Sequence, residues 1–561
     1  MDAERPTRQT SRQIARSTAI VMVAFAAAKA ISLAQTFIIA RTFGIGSAWD
    51  SFVTANRIPE LIFTLISGGA LAYAFIPVFS GYLSRGDKNG AWHIASHVIN
   101  TIFSATLVVS IVAFLAAPWL VEHVVAPGFA PDVQAQTVAL MRILLVSTLI
   151  FSVSGIVMGI LQSHNHFLLP ALAPIMYDVG ILFGVIFLLK PFGVRGIAMG
   201  AVLGAALHFL IQVPGLIRFR AKWYPELGWR DPNVWHVIRL MIPRIGGLGV
   251  FSFNFIVMNN IASRLGAGSV SALDWGWRLM QIPETLIGTA MGTVIFPTLA
   301  SLSAVQDAEG KRTAMSGALR FILIATIPSA IGLILIGRTL ISLLEGGAFD
   351  TSASALVYGT LQFFTLGLVV HSLLEVIARS FYADKDTLTP FWAALGGATI
   401  NLVLSILLSG VLTISSTQTL MFGLSKNLSL DLVLSHVSGD QGNVGGLALA
   451  NSLGTGFEVL VLLWILRRRW HGVHEGEMAR TLAKTLAASL VMGLAVVIAN
   501  AGWTAAGLAG RGIVWTVVQL GVEVGAGALA FAVTAALLRM EELRAVIDMV
   551  LRRRSLSEAS A

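Results

Sequence analysis

Two stretches of this sequence place an aspartate, an arginine and an Ile-Pro-Glu tripeptide in an otherwise apolar run. Gly44 to Pro77 reads GIGSAWDSFVTANRIPELIFTLISGGALAYAFIP, and Gly266 to Pro297 reads GAGSVSALDWGWRLMQIPETLIGTAMGTVIFP. A charge at the middle of a bilayer costs at least ~2.5–3.5 kcal/mol on insertion scales, so each buried charge needs a partner or a ligand. Arg278 falls about nine residues into its run, roughly 14 Å deep at the helical rise. Asp274 lies four residues earlier on the same helical face, where it can pair with Arg278. A half-neutralised arginine still binds an anion. Arg57 follows Asp50 by two helical turns, with Glu60 just past Pro59, a pattern that suits a salt-bridged gate as well as a binding site. Ser47-x-x-Asp50 and Ser271-x-x-Asp274 also resemble capping boxes at helix starts. Lys29 sits about eleven residues into the first apolar run, roughly 16 Å from its end, which is too deep for its stem to reach water. It either pairs with a carboxylate from another helix or lines a polar cavity. Arg244, beside Pro243, shares the seventh run with Asn254, Asn259 and Asn260. Asn254 and Asn401 have the chemistry of weak sodium ligands, although bridging helices is the commoner task of asparagine in a membrane.

These residues need long helices to position them. The chain has 561 residues, 56% hydrophobic and 12% charged, with a mean hydropathy of +0.79. That balance excludes an ordinary soluble domain and predicts a polytopic membrane protein. At ~20 apolar residues per crossing, the sequence divides into fourteen spans between 18–43 and 513–538. Helix is the expected form because backbone groups in lipid need internal partners. The net charge of +9 comes from Lys and Arg concentrated in alternate loops and at both ends (Arg5, Arg8, Arg12 and Arg16; Arg552, Arg553 and Arg554). Such asymmetry predicts that both termini are cytoplasmic and that anionic lipid headgroups, not nucleic acid, are the basic partners.

The two stretches belong to a longer internal repeat. Gly44 matches Gly266, Pro59 matches Pro283 and Pro77 matches Pro297, so the second copy follows the first at a nearly constant offset. Pro127-Gly-Phe-Ala130 matches Gly347-Ala-Phe-Asp350 at that same offset. Gly196 through Gly204 matches Gly446 through Gly454 at a larger one. The polar segment 413–442 supplies the extra length as an extracytoplasmic insertion. Six spans per repeat give both halves the same orientation, a parallel repeat that can rock about a central cavity. The expected organisation is a tail 1–17, an N-lobe 18–222, a C-lobe 234–470, a final pair of spans within 479–538 and a tail 539–561. Pro59, Gly68, Gly69 and Pro283 interrupt the second and eighth spans, as hinges or as ordinary membrane prolines.

Several chemistries have no signature. There is no cysteine for a disulfide or thiolate site, no Gly-x-x-x-x-Gly-Lys-Ser/Thr loop for ATP, and no zinc-protease or hydrolase motif. His164 and His166 lie in a short loop without a partner at ligand spacing. The expectation is a transporter and not an enzyme, without a cofactor.

The segments GSAWDSFVTANRIPEL, GALAYAFIPVFSGYL, APGF, PALAPIMYDVGI, DWGWRLMQIP, GAFD and FYADKDTLTP resemble the MurJ/MviN lipid II flippase family, in the multidrug/oligosaccharidyl-lipid/polysaccharide exporter superfamily. The resemblance covers the first twelve spans and continues more weakly into the last two. It implies a fourteen-helix fold with two six-helix lobes, a groove for a lipid tail, and a cationic cavity for an undecaprenyl-diphosphate-linked peptidoglycan precursor. It further implies coupling to membrane potential or a sodium ion, residence in the bacterial inner membrane, and work alongside other cell-wall synthesis proteins. Arg278 and Asp50 match the family pattern. The family usually has Arg where this chain has Lys29, Gln35 and Phe63, and often Glu where it has Ser67. Lysine keeps the charge but lacks the bidentate fork of arginine. Either Lys29, Arg57 and Arg244 compensate, or the cargo is another lipid-linked glycan. An ion-coupled antiporter of small cations is the alternative on the same fold; it would need essential acids such as Asp178 or Glu458.

Overall fold

The computed structural model describes residues 31–67, 69–409, 444–470 and 472–540. Lys29, Gly68, the insertion 413–442, the tail 1–17 and residues from 541 onward lie outside the described residues. What is described is helical nearly throughout, with one isolated bridge between Gly346 and Phe349. Twelve helices among the described residues are long and apolar enough to cross a membrane, and two shorter apolar helices, Ile31–Phe43 and Ala74–Ser84, occupy the first two expected spans. Large apolar side chains such as Val112, Leu115, Leu490, Leu494 and Leu537 are exposed, which in water would be a liability and in lipid is the required surface. The chain is a multi-pass, all-helical membrane protein.

It divides into two compact units, Met1–Ala267 and Gly268–Ala561. In the first, the chain leaves Ile31–Phe43 through Gly44 at φ 59° and enters the helix Ser47–Ile62. The matching Gly266 has φ 112° and precedes the helix Ser269–Glu284. Glycine tolerates that left-handed backbone at little cost. The start of both helices differs from the expected capping boxes. The first helical bonds run from Asp50 N to Gly46 O and from Ala272 N to Gly268 O, so Gly46 and Gly268 are the N-caps and neither Ser47 nor Ser271 is. Side-chain caps occur instead at the next helix of each half. Asp87 accepts from Gly90 N at the head of Lys88–Trp119, and Asp307 accepts from Gly310 N at the head of Ala308–Ser342, both at 2.8 Å. The two caps stand at equivalent points of the repeat.

The helix Pro232–Ser263, expected at the head of the second lobe, packs within the first unit. Val234, Val237 and Met241 on it join Phe75, Phe79, Trp92, Ile94 and Val98 in one buried cluster. Small residues let two other helices of this unit meet closely. A Cβ built on Gly180 would overlap the backbone of Gly204, and one on Gly184 would lie 2.8 Å from Gly200 Cα. Gly196, Gly200 and Gly204 on Arg195–Leu210 thus form the small-xxx-small stripe of a membrane helix pair, against Leu168–Phe183 and the turn after it.

The second unit repeats much of this. Gly397 on Leu388–Ser409 meets Gly454 on Val444–Trp470, and Leu319, Ile322, Val376, Phe381 and Leu462 form its core. The last two helices, Glu475–Ala505 and Ile513–Leu537, pack on each other and on Ala308–Ser342. A loop is repeated too, since Asn165 and its counterpart Lys385 both adopt positive φ.

Candidate functional site

In the first unit the helix Ser47–Ile62 carries four of the expected residues, Asp50, Arg57, Pro59 and Glu60. Asp50 is 1% exposed. It stands two turns before Arg57, about 10 Å along the axis, too far for the two to pair directly. Arg57 instead faces Pro232–Ser263. Its Nε donates to Asn259 Oδ1 at 3.5 Å, Glu60 Oε2 is 3.7 Å from its Nη1, and its guanidinium lies 5.5 Å from the centroid of Phe255. These contacts are all long for charge-assisted bonds, so Arg57 is oriented more than it is neutralised. Asn259 is the organising residue, and in the sequence it is marked only as an asparagine in an apolar helix. It donates to Thr54 Oγ1 at 3.0 Å and to Val125 O at 2.9 Å. Gln35 is buried and Asn254 is half-buried. The side chain of Arg244 lies outside the described residues, although its backbone is within Pro232–Ser263.

In the second unit the corresponding spacing is one turn, and the outcome differs. Asp274 accepts from Arg278 Nε at 2.7 Å, the pairing expected of residues four apart. The side chain of Asp274 is 9% exposed and that of Arg278 is 50% exposed. A short ion pair anchored on a buried carboxylate fixes the arginine stem and leaves much of the guanidinium face accessible. Beside it, Trp277 meets Phe364 and His371 edge-on. Further along, Glu284 accepts from Thr285 and Thr289, and Glu375 accepts from Arg379 at 2.9 Å. Asn401 is buried beside Gly454 and accepts from Ser405 Oγ at 3.0 Å, a bond within its own helix.

Both halves widen shortly after the matched proline. The helix holding Pro59 passes into a π-turn at Phe63–Ser67, and the helix holding Pro283 passes into one at Thr285–Thr289. A proline removes one backbone donor and crowds the preceding turn, and π-turns of this kind gather at functional positions. The prolines are visible in the sequence; the widened turns are not.

The arrangement offers two oriented cations on equivalent helices of a repeated membrane fold. The model of the family described as "Lipid II flippase MurJ" matches residues 39–437. The chain belongs to the lipid II flippase MurJ family. Among its MurJ relatives, the lipid II flippase of Burkholderia cenocepacia is 31% identical over 375 residues, 65% of this chain and 72% of that one. A probable lipid II flippase of Rhizobium tropici is 29% identical over 483 residues, 84% of each chain. A solved MurJ structure in an inward closed conformation covers 92% of this chain and 99% of its own at a TM-score of 0.72 and 22% identity. A multidrug transporter of the MATE family, facing inward, aligns at a TM-score of 0.63 and 14% identity over 79% of this chain and 95% of its own. The two structures establish a shared fold.

Proposed function

We propose that this chain is a flippase that moves lipid II, an undecaprenyl-diphosphate-linked peptidoglycan precursor, from the inner to the outer leaflet of the bacterial inner membrane. The observation that carries the reading is the MurJ family match over residues 39–437. The oriented cations Arg57 and Arg278 support it, because a diphosphate head group needs positive charge inside an apolar fold. Lys29, Gln35 and Arg244 complete the proposed ligand set. Asp50, Glu60 and Asp274 hold or gate these cations, and Pro59, Gly68, Gly69 and Pro283, with the adjacent π-turns, are the proposed hinges of an alternating-access cycle. Both termini are read as cytoplasmic from the Lys and Arg bias of the loops. Membrane potential or a sodium ion drives the cycle, with Asn254 and Asn401 as the weak sodium candidates.

The test is transport in proteoliposomes. Lipid II and other undecaprenyl-diphosphate glycans are compared, with and without sodium and an imposed voltage. The expected result is transfer of lipid II in preference to the others, dependent on at least one of the two driving forces. Transfer of another glycan with lipid II left behind would replace the cargo, and no transfer of any of them would end the reading.

A further inference from the structure

A group of side chains in the first unit, away from the cations above, has the composition of a metal centre. We propose that His93, His97 and Glu226 bind one divalent transition-metal ion of the zinc class and so pin the segment 219–231 to the helix Lys88–Trp119. His93 and His97 are one helical turn apart on the same face, and Glu226 comes from the segment that leads into Pro232–Ser263. One ligand atom from each of the three lies within 4.8 Å of the others. His97 Nε2 and Glu226 Oε2 are 3.4 Å apart. That equals the edge of a tetrahedron with metal bonds of ~2.0–2.1 Å, about 3.3–3.4 Å.

The surroundings match such a centre. Asp231 Oδ2 lies 2.8 Å from His97 Nδ1, the carboxylate–imidazole contact that fixes the tautomer and leaves Nε2 as a lone pair for a metal. With Nδ1 protonated toward Asp231, Nε2 and the Glu226 oxygen are both acceptors, and a cation between them turns a repulsion into a bond. The other oxygen of Asp231 caps Pro232–Ser263 at Asn233 N, 2.8 Å away. His93 stacks on Tyr224 with ring centroids 3.7 Å apart. The segment is held in place independently. Asn100 Nδ2 donates to Tyr224 O at 2.7 Å and to Glu226 O at 2.8 Å, and Gly228 N donates to Thr101 Oγ1 at 3.1 Å. Two imidazoles and one carboxylate favour zinc over magnesium or calcium, which prefer oxygen alone.

The competing explanation is a doubly protonated His97 bridging two carboxylates, in which His93 has no part. Zinc and, separately, magnesium are titrated into the full chain, purified in detergent without a histidine tag and stripped with a chelator, against a chromophoric competitor. One zinc per chain is expected, with magnesium at least about a hundredfold weaker. His93→Ala and Glu226→Gln should each weaken zinc about tenfold or more, and zinc should slow hydrogen exchange at Tyr224–Gly228. His93→Ala removes a half-buried ring whose contacts are the Tyr224 stack and the edge of His97, so it reports on the metal even if His97→Ala fails to accumulate. Zinc affinity unchanged in His93→Ala, or no stoichiometric zinc in the parent chain, would overturn the proposal.

Discussion

Arg57 directs its Nε at the side-chain oxygen of Asn259, 3.5 Å away and far along the chain. The same asparagine donates to Thr54 and to the carbonyl of Val125, so one amide joins three segments of the first unit. Replacing it with an apolar isostere strands several polar groups together, each costing about 1–3 kcal/mol when buried. Asn259→Leu should lower the thermal midpoint in detergent by several degrees and reduce accumulation in membranes. An unchanged melting curve would show that Arg57 has another sufficient anchor.

Arg278 bonds the buried carboxylate of Asp274 one turn away, so Arg278→Ala strands that charge and is compared with Arg278→Ala/Asp274→Asn, in which the charge is removed as well. The double variant should accumulate better than the single one, and both should fail to support growth of a cell depleted of its own MurJ. Arg278→Lys should retain part of the activity, because charge survives while the planar fork is lost. Full growth with the alanine variant would remove Arg278 from the proposed head-group site.

Glycine substitutions should have opposite signs at two positions. A methyl group on Gly180 would meet the backbone of Gly204, whereas one on Gly81 meets nothing within 4 Å. Gly180→Ala should destabilise by about 1–3 kcal/mol through overpacking. Gly81→Ala, inside the helix Gly69–Ser84, should be neutral or stabilising by about 0.5–1 kcal/mol. Melting temperatures of the two purified variants decide the matter, and equal shifts would contradict the close approach.

Acid should weaken the second unit through Asp386, which lies in the loop before Leu388–Ser409. Burial pushes its carboxyl upward, but bonds from Thr389 N, Thr389 Oγ1 and Arg469 together hold it below its ordinary value. A depressed folded value means that its stabilisation is complete above the unfolded carboxylate range, near pH ~4, and is lost as pH falls through the folded value. Asp386→Asn should therefore melt lower than the parent near neutrality and lose this difference as the pH falls below the unfolded carboxylate range. A difference between the two that stays constant with pH would argue against it.

The repeat, the helical spans and the turn glycines can be read from the sequence because they are local patterns of hydropathy and backbone freedom. The Asp274–Arg278 pair is legible for the same reason, since residues four apart on a helix must be neighbours. Asn259 is not, because its partners Thr54, Arg57 and Val125 come from distant parts of the chain. The capping boxes at Ser47 and Ser271 do not form, because the helices there begin on glycine carbonyls. The side-chain caps, Asp87 and Asp307, instead follow short polar turns. Counting spans groups the helix Pro232–Ser263 with the second lobe, whereas its packing follows Val234, Val237 and Met241 into the first core. Among the histidines, His164 stacks on Phe219 with centroids 4.2 Å apart; the pair one turn apart at 93 and 97 carries the stronger signal.

The widened turns at Phe63–Ser67 and Thr285–Thr289 change which side chains share a face. A π-turn accommodates an extra residue without breaking the helix's ladder of bonds, so everything beyond it is rotated relative to an unbroken α-helix. A stripe counted in threes and fours from Asp50 or Asp274 therefore does not carry through to Pro77 or Pro297; each long span presents one face before the turn and another after it.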